Sequence, residues 1–244
     1  MGAPLYLAPP STTRIRARIA AGQLGAILNP ASGNRMPEQG LFAVDNAVYG
    51  GHYPGDGPYL KYLERFVPHA DRCLFVTAPD RVGNALATEA RSRPMLAQIR
   101  AMGLPVALVA QDHMEFASTW DPWEEVNCLF VGGSTEWKLS DAAANLARVA
   151  SSLGKHVHVG RVNSLLRYRH AALVMLADSV DGTYLQRAGP DRALPTVLGW
   201  RDALLADPLI DVSPRELDWL DGGYILAPSR SPETAPAVDQ ITLF

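Results

Sequence analysis

Eight short apolar runs, most of them separated by a helix-like stretch, set the tightest limit on what this 244-residue chain can fold into. They are PLYLA (4–8), LGAILNP (24–30), LFAVD (41–45), CLFVTAPD (73–80), LPVALVAQD (104–112), NCLFVGG (127–133), HVHVG (156–160) and LVML (173–176). Strands buried on both faces read as unbroken apolar runs, and each reaches its parallel neighbour through a crossover, usually a helix. Helices are expected over 14–19, 59–66, 85–102, 140–153, 164–172 and 194–206. Gly22, Gly103 and Gly154 stand as stops after three of them. The rhythm argues for an α/β protein with a parallel sheet, and eight repeats suit closure into a single (β/α)8 TIM-type barrel. An open doubly wound sheet satisfies the same alternation, because periodicity does not count strand neighbours. Residues 1–221 form the expected barrel domain, and 222–244, rich in Pro and Ser, a C-terminal tail.

Composition removes several function classes. Apolar residues make up 48% and charged residues 19%, the balance of a globular protein. A net charge of −3 gives no global basic field, so a nucleic-acid partner needs a local patch. Cys73 and Cys128 both lie inside apolar runs and read as buried thiols, with no disulfide framework or thiolate metal site. No HExxH spacing occurs among the histidines, and no metal or redox cofactor is implied. No signal peptide and no apolar stretch of about 18 residues is present, which leads to the expectation of a cytoplasmic protein without a membrane partner.

If the strands run parallel, the residues where they end share one rim, the edge at which chemistry collects in barrels and doubly wound sheets. Those residues are Asp45, Asp80, Gln111 with Asp112, Gly132-Gly133, Gly160 and, after the run at 173–176, Asp178. Two carboxylates in different environments divide labour, one ionised as a nucleophile and one exchanging protons. A further Asp and a Gln offer acceptors and donors to a planar ligand, and a glycine pair lets backbone N–H groups approach it closely. Each residue also has a plainer reading. The acids suit helix caps or turns, Gln111 a strand end, and Tyr49 core packing. Asp181, next to Gly182, reads as a turn former, and Ser134 or Thr135 as the cap of a helix carrying Trp137 and Lys138.

In this order the set resembles the tRNA-guanine transglycosylase superfamily, (β/α)8 enzymes that exchange guanine for a 7-deazaguanine. The similarity is greatest to the short DpdA-type, DNA-modifying branch of actinobacteria and their phages. Asp45-Asn46-Ala47-Val48-Tyr49 matches the Asp and the aromatic of that family's DSGG-aromatic motif, without its glycines. Asp80 in FVTAPD takes the place of the base-reading Asp, Gln111 in LVAQD that of the VQGG glutamine, and Gly132-Gly133 in FVGG that of the IGG pair. The resemblance implies Asp178 as nucleophile, Asp45 as general base and Tyr49 as a stacking residue, with Gly160 among the substrate-binding residues. It spans roughly residues 25–183. The cysteine-and-histidine zinc site of the tRNA enzymes is missing, as is the methionine they place in the segment HVHVG, where Val159 stands.

The implied partners are DNA at guanine sites and a free 7-deazaguanine of the preQ0 type, with other modification-complex proteins possible. For a phage-encoded chain the compartment is the host cytoplasm. Arg161, Arg167 and Arg169 in GRVNSLLRYRH form a candidate phosphate-contacting patch beside the rim, with a solvated face as its plainer reading. Other classes fit the same residues: a tRNA-guanine transglycosylase, a nucleoside N-glycosidase using water as acceptor, or a non-catalytic barrel that holds a nucleobase within a larger complex.

Overall fold

The computed structural model describes residues 2–116 and 120–206. Eight parallel strands follow one another round a closed barrel: β1 (Leu5–Ala8), β2 (Gly25–Leu28), β3 (Phe42–Val44), β4 (Cys73–Thr77), β5 (Val106–Ala110), β6 (Cys128–Val131), β7 (His156–Val159) and β8 (Ser179–Asp181). The first seven coincide with the first seven apolar runs. β8 closes the ring on β1, pairing Leu5 with Ser179 and Leu7 with Asp181. The tail at 222–244, and the boundary drawn for it, lie outside the described residues.

Helices α1 (Thr13–Ala20), α2 (Asp56–Leu63), α3 (Ala85–Ala101), α4 (Thr135–Lys138), α5 (Asp141–Ser152) and α6 (Leu165–Leu173) occur in the connections, and α7 (Tyr184–Arg187) and α8 (Pro190–Ala206) follow β8. Five begin at a side-chain cap: Thr12, Asn84, Ser134, Ser140 and Ser164 each accept a backbone N–H three residues on. Such a cap is worth about 1 kcal/mol. No helix among the described residues is long and apolar enough to cross a membrane.

Alternation along the strands builds two cores. Leu7, Ala43, Phe75, Ala107, Val109, Cys128 and Phe130 meet inside the barrel, while the larger cluster, including Tyr6, Val44, Val76 and Leu129, packs in the layer between strands and helices. Both cysteines are free and buried, and burial pushes the Cys73 thiol up to about 12.

The eighth strand corrects the sequence reading. LVML is not a strand: Leu173 ends α6, Val174 and Met175 return their N–H groups to His170, and Leu176 adopts φ +57° before the chain turns. That apolar run is a helix end packed on the outer core. The real strand, Ser-Val-Asp, sends Val180 into the fully buried outer layer, while Ser179 and Asp181 take the opposite face, where they meet the histidines of β7. A strand this short with a polar inner face carries no apolar run to betray it.

Candidate active site

On the β3–β5 side of the rim, the loop after β3 is folded by its own polar side chains. Asp45 Oδ2 accepts the N–H of Ala47 at 3.0 Å and Asn46 Oδ1 that of Val48 at 2.8 Å. Ala47 takes φ +64°, a left-handed conformation that glycine adopts without steric cost. The turn therefore survives without the glycines of the DSGG motif. Asn46 is buried, and its Nδ2 donates to Ala78 O (2.8 Å) and to Asp80 Oδ1 (3.1 Å). Gln111 Nε2 donates to Asp80 Oδ2 at 2.6 Å, while its Oε1 accepts from the Gly83 N–H at 2.8 Å. Asp80 thus stands between two amides, each fixing one carboxylate oxygen. Burial raises its carboxyl pKa and the Asn46 hydrogen bond opposes that rise.

Asp45 is the perturbed acid of the rim. Burial pushes its carboxyl up to about 7; the Ala47 N–H pulls the other way, and the neighbouring Asp181 and Asp80 add to the rise. It is the carboxyl with the pKa of a general acid–base working near neutrality.

The β6–β8 side is built round Asp181. Gly132 returns its N–H to Ala110 O within the barrel ladder, so only the Gly133 N–H of that pair lacks a partner among the described residues. At Gly133 the backbone has φ +61°, and a Cβ would lie 2.5 Å from Asp112 Oδ1 and 2.6 Å from Trp137, so a side chain is excluded twice over. Asp112 accepts the Ser134 N–H at the start of α4. Buried Lys138 donates from Nζ to Gly160 O at 2.6 Å. The next residue, Arg161, takes φ +62° and presents its backbone N–H to Asp181 Oδ1 at 2.9 Å. Burial alone would raise the Asp181 carboxyl, but His158, the Arg161 N–H and Lys138 together hold it below the usual carboxylate range.

Tyr49 is not core: it is 68% exposed, with the Arg161 guanidinium 4.9 Å from its ring centre. Arg161 also donates to Tyr49 Oη at 3.2 Å and to the Gly133 carbonyl, so its side chain links the β3 and β6 loops.

Three sequence-derived assignments change. Asp178 precedes β8 and therefore sits at the amino end of the barrel, where its carboxylate accepts the Val157 N–H at 2.8 Å and its carbonyl that of Leu5. Asp181, three residues on and assigned to a turn, holds the rim position. Arg167 and Arg169 are buried on α6, and Arg169 donates to Ala203 O of α8 at 3.0 Å, so neither belongs to an exposed phosphate patch. Arg161 alone of that trio reaches the rim. Sequence reasoning missed Asn46, Lys138 and His158 as site residues. Only Asn46, adjoining Asp45, offered a signal, and it reads there as a departure from the motif.

Among the described residues no three His, Cys, Asp or Glu side chains gather closely enough to hold a metal ion. No family model matches the chain, and no curated protein matches it in sequence. Solved structures do. A Bacillus subtilis protein, YkuI, with an EAL domain and in complex with the substrate c-di-GMP and calcium, is 14% identical over 62% of this chain and 38% of its own, with a TM-score of 0.39. L-Talarate dehydratase from a Polaromonas species is 12% identical over 75% and 52% of the two chains, at 0.42. A flavocytochrome b2 variant is 12% identical over 98% and 76%, at 0.49. The chain thus spans about half or less of the length of the first two.

Proposed function

We propose that this chain is a glycosyltransferase that replaces guanine in DNA with a 7-deazaguanine through a covalent sugar ester on Asp181. The observation that carries the reading is the pairing on one rim of two carboxyls in opposed states. Asp181 is held ionised, and Asp45 is poised near neutrality. Beside them, Asp80 presents a carboxylate fixed from behind by Asn46 and Gln111, a rigid acceptor for the N–H edge of a purine. These residues fall in the order of the transglycosylase resemblance, with Asp181 taking the nucleophile's place instead of Asp178.

The reaction balances without an added proton. Asp181 attacks the anomeric carbon of a deoxyguanosine as the C–N bond breaks, and Asp45, in its acid form, protonates the departing guanine. The incoming 7-deazaguanine returns a proton to Asp45 as its ring nitrogen bonds the anomeric carbon and expels Asp181. The Gly133 N–H, without a partner among the described residues, serves negative charge on the purine carbonyl. The nucleotide must be single-stranded or leave the duplex to reach the rim. Because Arg161 lies over Tyr49, a base that stacks on that ring from the same side displaces the guanidinium.

The test is a base-exchange assay with guanine-containing DNA or tRNA and labelled 7-cyano-7-deazaguanine, read as nucleosides by mass spectrometry. Label in DNA, lost in Asp181→Asn, is the expected result. Label in tRNA alone overturns the substrate, free guanine without incorporated label replaces exchange with hydrolysis, and no label with folded protein overturns the activity.

A further inference from the structure

Below Asp181, three polar groups run in line through the barrel interior. His156 Nε2 lies 2.7 Å from Ser179 Oγ, Ser179 Oγ lies 2.8 Å from His158 Nδ1, and His158 Nε2 lies 3.8 Å from Asp181 Oδ1. His158 and Ser179 are wholly buried, and the His158 ring is set against Phe130 and Phe75, with centroids 4.4 and 4.8 Å away. Its Nε2 is a buried nitrogen with no hydrogen-bond partner within the described residues. An orphan of this kind is costly, and the Asp181 carboxylate stands just beyond bonding distance. Contacts at catalytic centres are often long before substrate binds and tighten afterwards.

A serine hydroxyl has one proton to give, so the line has two polarities when both rings are neutral. In one, His156 Nε2–H donates to Ser179, Ser179 donates to His158 Nδ1, and His158 Nε2–H faces Asp181. In the other, His158 Nδ1–H donates to Ser179, and a bare, wholly buried Nε2 lone pair confronts a carboxylate that is only 24% exposed. The reverse arrangement would favour the far end, where His156 Nδ1 lies 4.0 Å from Asp178, but that carboxylate is 53% exposed and water screens it. At the Asp181 end the ring is wholly buried and the carboxylate less than half as exposed, so screening is weaker there and that end decides.

We propose that His158 is a positioning residue for Asp181: neutral, protonated at Nε2, locked in that tautomer by Ser179 and His156, and closing on Oδ1 during the reaction. Oδ1 already accepts the Arg161 N–H, whereas Oδ2 has no hydrogen bond within the described residues, so Oδ2 is the oxygen that attacks. The tautomer follows from the geometry alone; the attacking role rests on the base-exchange reading.

Two arms keep these apart. In the full-length, ¹⁵N-labelled wild-type protein, long-range imidazole correlation spectra near neutral pH report the protonation of each ring nitrogen, with His158 assigned by the signal lost in His158→Gln. A bare Nδ1 with a protonated Nε2 is expected. A ring protonated at Nδ1, alone or together with Nε2, overturns the proposal. In the exchange assay, His158→Phe is expected to lower kcat roughly 10- to 100-fold, with KM for the 7-deazaguanine within about twofold, since the base-reading groups stand in the loops after β4 and β5. His158→Gln, whose amide offers an N–H to Asp181, recovers part of the loss, and Ser179→Ala falls between. An unchanged kcat in folded His158→Phe overturns the positioning role. If wild type exchanges no base, the base-exchange reading fails, and the spectra alone decide the tautomer.

Discussion

The two ends of the barrel carry the same residue three positions apart, and its surroundings make it two different groups. Asp178, at the amino end, has a 53% exposed side chain, answers the Val157 N–H, and belongs to the closing of the sheet. Asp181, at the carboxyl end, is 24% exposed and is held between the Arg161 N–H and the imidazole of His158. Chemistry on a barrel belongs to the residue whose strand end opens on the converging loops, and composition around an Asp does not reveal which end that is.

The sharpest way to break this contrast is to neutralise each acid in turn. Asp181→Asn is expected to abolish base exchange, by roughly 10³-fold or more, because the nucleophile is gone. Asp178→Asn is expected to keep activity within about threefold and to cost about 1 kcal/mol of stability through the Val157 N–H, measured by denaturant unfolding. Comparable activity losses in the two variants would erase the distinction between the ends.

Asp45, another acid of the rim, makes stability depend on pH. Its carboxyl, raised by burial to about 7, is neutral in the fold where an unfolded Asp is ionised, so ionising it weakens the native state. That penalty is absent below about pH 4, where both states are protonated, grows between about 4 and 7, and is complete above. Asp45→Asn should therefore be more stable than wild type at pH 8, by roughly 2–4 kcal/mol, and no different at pH 4, while losing exchange activity. Equal stabilities at both values would show that Asp45 is an ordinary solvated acid.

Smaller effects test the base-reading side. Gln111→Ala frees Asp80 Oδ2 and should raise KM for the 7-deazaguanine about tenfold, corresponding to roughly 1–2 kcal/mol, with a lesser change in kcat. Least of all, Ala47→Gly relieves the left-handed residue and should shift stability by no more than about 1 kcal/mol, detectable as a small rise in melting temperature.

Much of the architecture was legible because seven strands are buried on both faces and write themselves as apolar runs. β8 was not: its inner face is Ser179 and Asp181, and the run that imitated it, LVML, is the end of α6. The same slip put the expected nucleophile at Asp178, which stands before β8 at the amino end. On the other side, Asp45, Asp80, Gln111 and the glycine pair fell where the rhythm placed them, since each directly follows, or lies a few residues beyond, a run that really is a strand. The roles within that group were less visible. Gln111 and Asn46 support Asp80, and Gly132 spends its N–H on β5, facts of hydrogen-bond partnership that spacing does not encode. His158 and Lys138 were hidden for another reason. A histidine inside a barrel and a lysine buried on a four-residue helix each read, in one dimension, as ordinary strand or surface residues.

The proposed exchange turns on Asp181 carrying the sugar. Wild-type protein mixed with guanine-containing single-stranded DNA, with the incoming base withheld, should accumulate the covalent intermediate; denaturation and peptide mapping by mass spectrometry would then locate the adduct. A sugar ester is expected on the peptide containing Asp181, absent in Asp181→Asn and retained in Asp178→Asn. An adduct that survives in Asp181→Asn, or that maps to Asp178 or Asp45, would contradict it.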